Sequence, residues 1–252
     1  MTAAEASSKK FASLLKRLRR SDAAPQEVPA PEGEDPIISQ LVYSMLLWEA
    51  SSGQARAAFR RVREALVDFN ELRVCVPEEI ASIIGDRYPL SAERSLRIRS
   101  VLHAVFVARH QLSLSHLAAA PKRDARASLE SLEGIPQFVA ARVVLVSLGG
   151  HAVPVDERLR DLLAREKVIG PDVPPVAAGH ALERLVRAEE SLATHATLAA
   201  WSDEEGHPPR RDRPAIADAV EPPRPPAPRA ETPRAESSRT DPPRAKSAKA
   251  KT

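Results

Sequence analysis

Asp156 opens the run VDERLRDLL, where a carboxylate precedes a helix-like pattern of leucines. An aspartate in that place has two uses. It caps the helix, a contribution of about 1 kcal/mol, or it stands fixed beside a reacting centre, where it stabilises developing positive charge or activates water. Just upstream lies the stretch LEGIPQFVA, residues 132–140. Gly134 supplies the positive φ that a tight reversal needs, and an apolar helix follows at once. The first N–H groups of such a helix point outward with the positive end of its dipole, which suits a phosphate oxygen. A hairpin of this kind holds a nucleic-acid backbone without reading its sequence.

The other reactive residue types give less. Cys75 is the only cysteine, which excludes an internal disulfide and any all-cysteine metal or cluster site within the chain. The seven histidines show no metal-ligand spacing with Cys75 or with carboxylates, and His103 and His110 stand two turns apart on one helix. No glycine-rich phosphate loop is present. The expectation is therefore a site without metal or cofactor.

The frame for these residues is all-helical. The chain has 252 residues, a net charge of +3, 43% apolar residues and only 4% aromatics, so its core is built from Leu, Val, Ile and Ala. The pattern predicts a helix apolar nearly all round at 37–50. An amphipathic one follows at 54–69, with Phe59, Val62 and Leu66 inward. Pro77 opens a short helix that Gly85 ends. Ser91 is the expected N-cap of a long helix ending near His110, with Leu96, Val101, Leu102, Val105 and Phe106 buried. Further segments fall at 113–119, 124–132, 138–148, 156–165, 174–187 and 190–201. No run alternates like a strand, and no solenoid repeat occurs.

Three regions result: a basic N-terminal segment and linker (1–33), a helical domain (34–203) and a Pro/Arg/Lys-rich tail (204–252). The segment KKFASLLKRLRR reads as a solvated basic helix or frayed terminus, or else as a backbone contact to DNA. The tail is too poor in apolar residues to fold and is expected to be disordered. It either adds nonspecific DNA affinity by counterion release or merely solubilises the chain. No apolar stretch spans a bilayer and no secretory signal is evident. A soluble, cytoplasmic, nucleoid-associated monomer is expected.

Residues 132–163 resemble the helix-hairpin-helix DNA glycosylases of the endonuclease III superfamily. That family's pattern is roughly L-P-G-[VI]-G-x-[K/S/W]-[TS]-A, an apolar helix ending in Gly, then [VI]-D opening the next helix. The interval from Phe138 to Asp156 matches the family's interval from its lysine position to its aspartate. DPIISQLVYSMLLWEASS and IIGDRYPLSAERSLRIRSVL are similar to two upstream family helices, so the resemblance spans about residues 35–201. It implies an all-α multi-helix bundle that binds double-stranded DNA carrying a damaged or mismatched base. It also implies base excision by hydrolysis of the glycosidic bond of a flipped nucleotide, with Asp156 as the catalytic carboxylate. Asp156 acts there, or caps its helix, or does both.

The departures define a subclass. Phe138 stands where bifunctional members carry lysine, and a phenyl ring forms no Schiff base, so the expected enzyme is monofunctional. Phe138 lies beside the flipped nucleotide or is a core aromatic. Pro136 replaces the second hairpin glycine and removes one N–H. Gly134, Ile135, Gln137, Phe138 and Val139 remain as the DNA-anchoring set. The four-cysteine cluster loop of many members is absent. Glu49 falls near the point where some members carry a carboxylate or amide that assists excision; otherwise it is a solvated or capping glutamate. Arg142 and Arg158 are candidate phosphate contacts. The competing readings are a catalytically inactive DNA-binding relative and a protein-interaction module.

Overall fold

The computed structural model describes residues 3–18, 30 and 33–206, and no strand occurs among the described residues. The elements are α1 (Ala3–Leu18), α2 (Pro36–Leu47), α3 (Ser52–Ala65), α4 (Phe69–Val74), α5 (Pro77–Ile84) and α6 (Ser91–Arg109). They continue with α7 (Lys122–Glu130), α8 (Gln137–Val146), α9 (Glu157–Arg165), α10 (Pro175–Glu183) and α11 (Ser191–Glu205), with 3-10 turns at Ser115–Ala118 and Ala188–Glu190. The all-α expectation holds. The linker and the proline-rich tail lie almost wholly outside the described residues; α11 runs through Glu205. No described helix is long and apolar enough to cross a membrane.

Two apolar cores form. In the first, α2 is the axis: every residue from Ile37 to Leu47 is buried, among side chains of α3, α5, α6 and α8. Asp35 starts α2 by accepting the Ile37 N–H (2.8 Å), and Pro36 fills the first helical position, where its missing N–H costs nothing. The second core gathers Leu159, Leu162 and Leu163 of α9, Leu182 of α10, and Leu198 and Trp201 of α11. Phe11 and Leu14 of α1 join it, at 2% and 3% exposure. The basic N-terminal segment is thus a packed helix rather than a solvated one, with Lys9, Lys10, Lys16 and Arg17 left outside.

Other boundaries also differ from the sequence pattern. The helix expected at 37–50 stops at Leu47, because the chain turns through Glu49 with φ of 58°. The helix expected at 54–69 ends at Ala65. Asp68 then caps a separate helix, α4, by accepting the Glu71 N–H (2.9 Å). Ser91 is the first residue inside α6, and Leu90, at φ of 54°, occupies the cap. Leu96 is 42% exposed, and Arg94, Ser95 and Ile98 share the buried face with Val101, Leu102 and Val105 instead.

Candidate active site

The site begins at the C-terminus of α2, where helix carbonyls lack partners within the helix. Arg94 of α6 supplies them. Its guanidinium donates to the carbonyls of Met45, Leu46 (3.1 Å) and Trp48, and to that of Pro89 (3.0 Å). Tyr88 O–H adds a second donor to Leu46 (2.8 Å). The guanidinium also lies 5.6 Å from the Trp48 ring centroid and 5.0 Å from that of Tyr88. Burial pulls the Arg94 pKa down to about 10, so the group stays charged at neutral pH and complements the negative end of the helix.

This anchored corner presents Glu49. Its N–H donates to Asp156 Oδ2 (3.2 Å), while its own Oε1 accepts the Glu157 N–H (2.7 Å). Asp156 Oδ1 accepts the Leu159 N–H (2.9 Å) and so caps α9. Two carboxylates, 107 residues apart in the chain, therefore clasp the seam: Asp156 holds the Glu49 N–H, and Glu49 holds that of Glu157, the next residue after Asp156. Arg158 completes the seam. It donates to the carbonyls of Ala50 and Ser202 (3.3 Å) and pairs with Asp203 at 3.8 Å.

Beside the seam is a cleft lined by Leu47, Ala50, Phe138, Asp156, His195 and Asp203, among others, with about 350 Å³ of space counting what is open to solvent. The Phe138 ring meets the His195 ring edge-on, with centroids 6.5 Å apart. Phe138 also walls a second, smaller cleft with Gln137 and Arg126.

The hairpin joins α7 to α8. Gly134 has φ of 84°, and its carbonyl accepts from Arg97 (3.0 Å). Pro136 is the extended residue before α8, and its carbonyl accepts the N–H groups of Val139 (2.9 Å) and Ala140 (3.1 Å). Ile135 N–H donates to Leu132 O (3.2 Å). Two amides of the expected anchoring set, those of Ile135 and Val139, are therefore engaged within the hairpin. Gln137 and Phe138 are the first two residues of α8, where helix geometry provides no internal acceptor.

The fold has counterparts among solved structures. A trapped endonuclease III–DNA covalent intermediate, an estranged-adenine complex, superposes with a TM-score of 0.60 at 18% identity, covering 77% of this chain and 85% of that one. A thermostable thymine-DNA glycosylase gives 0.55 at 18% identity, covering 80% and 88%. The Clostridium acetobutylicum 8-oxoguanine glycosylase/lyase bound to double-stranded DNA gives 0.59 at 13% identity, covering 80% and 70%. The chain has the helix-hairpin-helix DNA glycosylase fold. No protein-family model and no curated protein matches its sequence.

Within this glycosylase fold, Asp156 and Phe138 reach one cleft, and Glu49 binds the main chain at its edge. Arg142 and Arg158 do not face solvent phosphates. Both are buried; Arg142 donates to Ser44 Oγ (2.9 Å) and Arg158 holds the Ala50 and Ser202 carbonyls. Sequence reading missed Arg94 and His195. An arginine within an apolar helical repeat was the one available signal for Arg94; nothing local marked His195.

Gly134→Ala is expected to destabilise this fold by about 1–2 kcal/mol, because a side chain is strained at that φ. The added Cβ would also sit 3.4 Å from Ser100 Cβ. Urea denaturation measures it, and a change within experimental error would show that the turn relaxes at no cost.

Proposed function

We propose that this protein is a monofunctional DNA N-glycosylase of base excision repair. A damaged or mismatched nucleotide is extruded from the duplex into the Phe138–Asp156–His195 cleft. The observation that carries this reading is the placement of Asp156: a buried carboxylate lining the cleft, held at both oxygens by main-chain N–H groups from two different segments. Such a group is fixed before the reaction, which is what electrostatic stabilisation of a sugar cation requires. As the C1′–N bond breaks, the base leaves with the bonding electrons, charge develops on the sugar opposite Asp156, and water adds at C1′, its proton balancing the charge on the departed base. Phe138 supplies no amine, so strand cleavage does not follow.

The hairpin anchors the DNA backbone through the amides at Gly134, Gln137 and Phe138. The side chain of Ile135 and the buried Val139 support the turn. The basic segments at residues 1–33 and 204–252, flanking a helical domain at 34–203, add salt-sensitive nonspecific affinity. On this reading the enzyme acts on chromosomal DNA as a monomer, cytoplasmic and nucleoid-associated.

The test is incubation with duplexes bearing uracil, alkylated purines, oxidised bases or mismatched adenine, scored for breaks with and without alkali. Wild type is expected to give breaks only after alkali. Asp156→Asn is expected to slow them at least about 100-fold. Asparagine keeps one acceptor, so either the Leu159 or the Glu49 N–H loses its partner; the stability cost is about 1–3 kcal/mol. A melting curve shows whether the variant is folded in the assay. A second reading, a catalytically inactive DNA binder, is favoured by Pro136 in the hairpin and by the main-chain bonds already on both Asp156 oxygens. Retained duplex binding with no breaks from any lesion would select it.

A further inference from the structure

α11 presents His195 to the cleft, and no step described above uses it. The residue is 5% exposed, lines the cleft together with Asp156 and Phe138, and packs against the edge of the Phe138 ring. Its Nδ1 is buried and makes no hydrogen bond among the described residues. Buried polar side-chain atoms are paired in the great majority of cases, so this one calls for a cause. A leucine or phenylalanine would fill the same volume without an unpaired nitrogen.

The surroundings keep the ring uncharged. Burial, and then the neighbouring Arg142 guanidinium, push its pKa down to about 3. A neutral imidazole has one donor nitrogen and one acceptor nitrogen. Imidazolium would seek a phosphate; the neutral ring suits a polar but uncharged, planar partner with both kinds of group along its edge. A nucleobase is such a partner. Asp156 holds the sugar side of the cleft, so the nucleobase of an extruded nucleotide is what remains to meet α11.

We propose that His195 is the base-reading residue of the cleft, hydrogen-bonding a polar edge atom of the extruded nucleobase while Phe138 bounds the base from the side. This inference rests on the glycosylase reading and deepens it. It makes His195 a specificity-determining residue, distinct from Asp156, whose partner is the sugar.

The experiment uses duplexes with one cleavage-resistant 2′-fluoro nucleotide carrying uracil, hypoxanthine, 8-oxoguanine or adenine, and a matching duplex with a tetrahydrofuran abasic analogue. Full-length wild type, His195→Phe and His195→Gln are compared by fluorescence anisotropy, with a melting curve for each. His195→Phe is expected to weaken binding of at least one base-bearing duplex about tenfold, the size of one lost hydrogen bond. Binding of the abasic duplex should stay within about twofold. His195→Gln, which keeps a donor and an acceptor, is expected to retain part of the affinity and reorder the bases; it carries the comparison if the phenylalanine variant fails to fold. Equal losses on base-bearing and abasic duplexes, or no loss on any, would overturn the proposal. Wild-type strand breaks on the corresponding deoxynucleotide duplexes score base removal separately. Breaks without base discrimination by His195 overturn only this inference, and discrimination without breaks overturns only the glycosylase reading.

Discussion

Arg94→Ala is expected to remove on the order of 5 kcal/mol of folding stability, from a total of about 5–15 kcal/mol in a typical domain. The variant should populate the unfolded state without denaturant, or melt far below wild type. Arg94 is fully buried and serves four carbonyls, those of Met45, Leu46, Trp48 and Pro89. Tyr88 still serves Leu46 after truncation, but the other three lose their side-chain donor. Each unsatisfied buried acceptor costs about 1–3 kcal/mol, and the cavity left by a long side chain adds to that. Relief of the desolvation that Arg94 suffers when buried offsets part of the loss. Arg94→Lys separates charge from geometry: an ammonium has three donors on one atom and cannot span the fork, so a smaller but clear loss is expected. Arg94→Met removes charge and donors but keeps much of the volume. If methionine restored wild-type stability in urea titrations, the cavity and not the carbonyls would be the source. A further readout follows from geometry. Arg94 holds the Trp48 carbonyl beside Glu49, whose N–H binds Asp156, so partly folded Arg94 variants should lose base excision more steeply than they lose duplex binding.

The sequence made legible what is contiguous. Gly134, Pro136 and Phe138 sit within five residues, and their order encodes a turn followed by a helix start. The capping chemistry of Asp156 is equally local, and the structure has it. The clasp between Glu49 and Asp156 was not legible, because it joins segments more than 100 residues apart. It also depends on a left-handed glutamate that no residue preference suggests. Arg142 and Arg158 illustrate the converse error. Arginines on a helix beside a hairpin look like phosphate contacts. Whether they face out depends on carbonyls left over elsewhere, such as those of Ala50 and Ser202. The break between α3 and α4 escaped for a related reason: Leu66 and Val67 continue the apolar pattern, and side-chain bonds from Asp68 and Glu71 to the main chain divide the helix. Phe11 and Leu14 lie in a charged segment whose partners, on α9 to α11, come last in the chain.

Folding stability is expected to fall below pH 6.5 with a slope that is much smaller in His195→Gln. The direction follows from which state takes up the proton first. Unfolded, the His195 imidazole titrates at its ordinary value of 6.5; folded, it resists protonation down to about 3. The histidine contribution is therefore fully present above pH 6.5 and drains away as the pH falls toward 3. At about 1.4 kcal/mol per pH unit the loss approaches roughly 4–5 kcal/mol at the acid end. About 2 kcal/mol of it should be visible by pH 5, before most carboxylates begin to protonate. His116, whose pKa is also lowered by burial, adds a weaker slope of the same sign. It is unchanged in the variant and cancels in the comparison. Urea titrations of wild type and His195→Gln at pH 7.5, 6, 5.5 and 5 give the difference directly. A constant gap between the two at every pH would mean that the folded protein protonates His195 as readily as the unfolded chain does. The ring would then be protonated in part near neutral pH, and burial would no longer hold it neutral for a nucleobase.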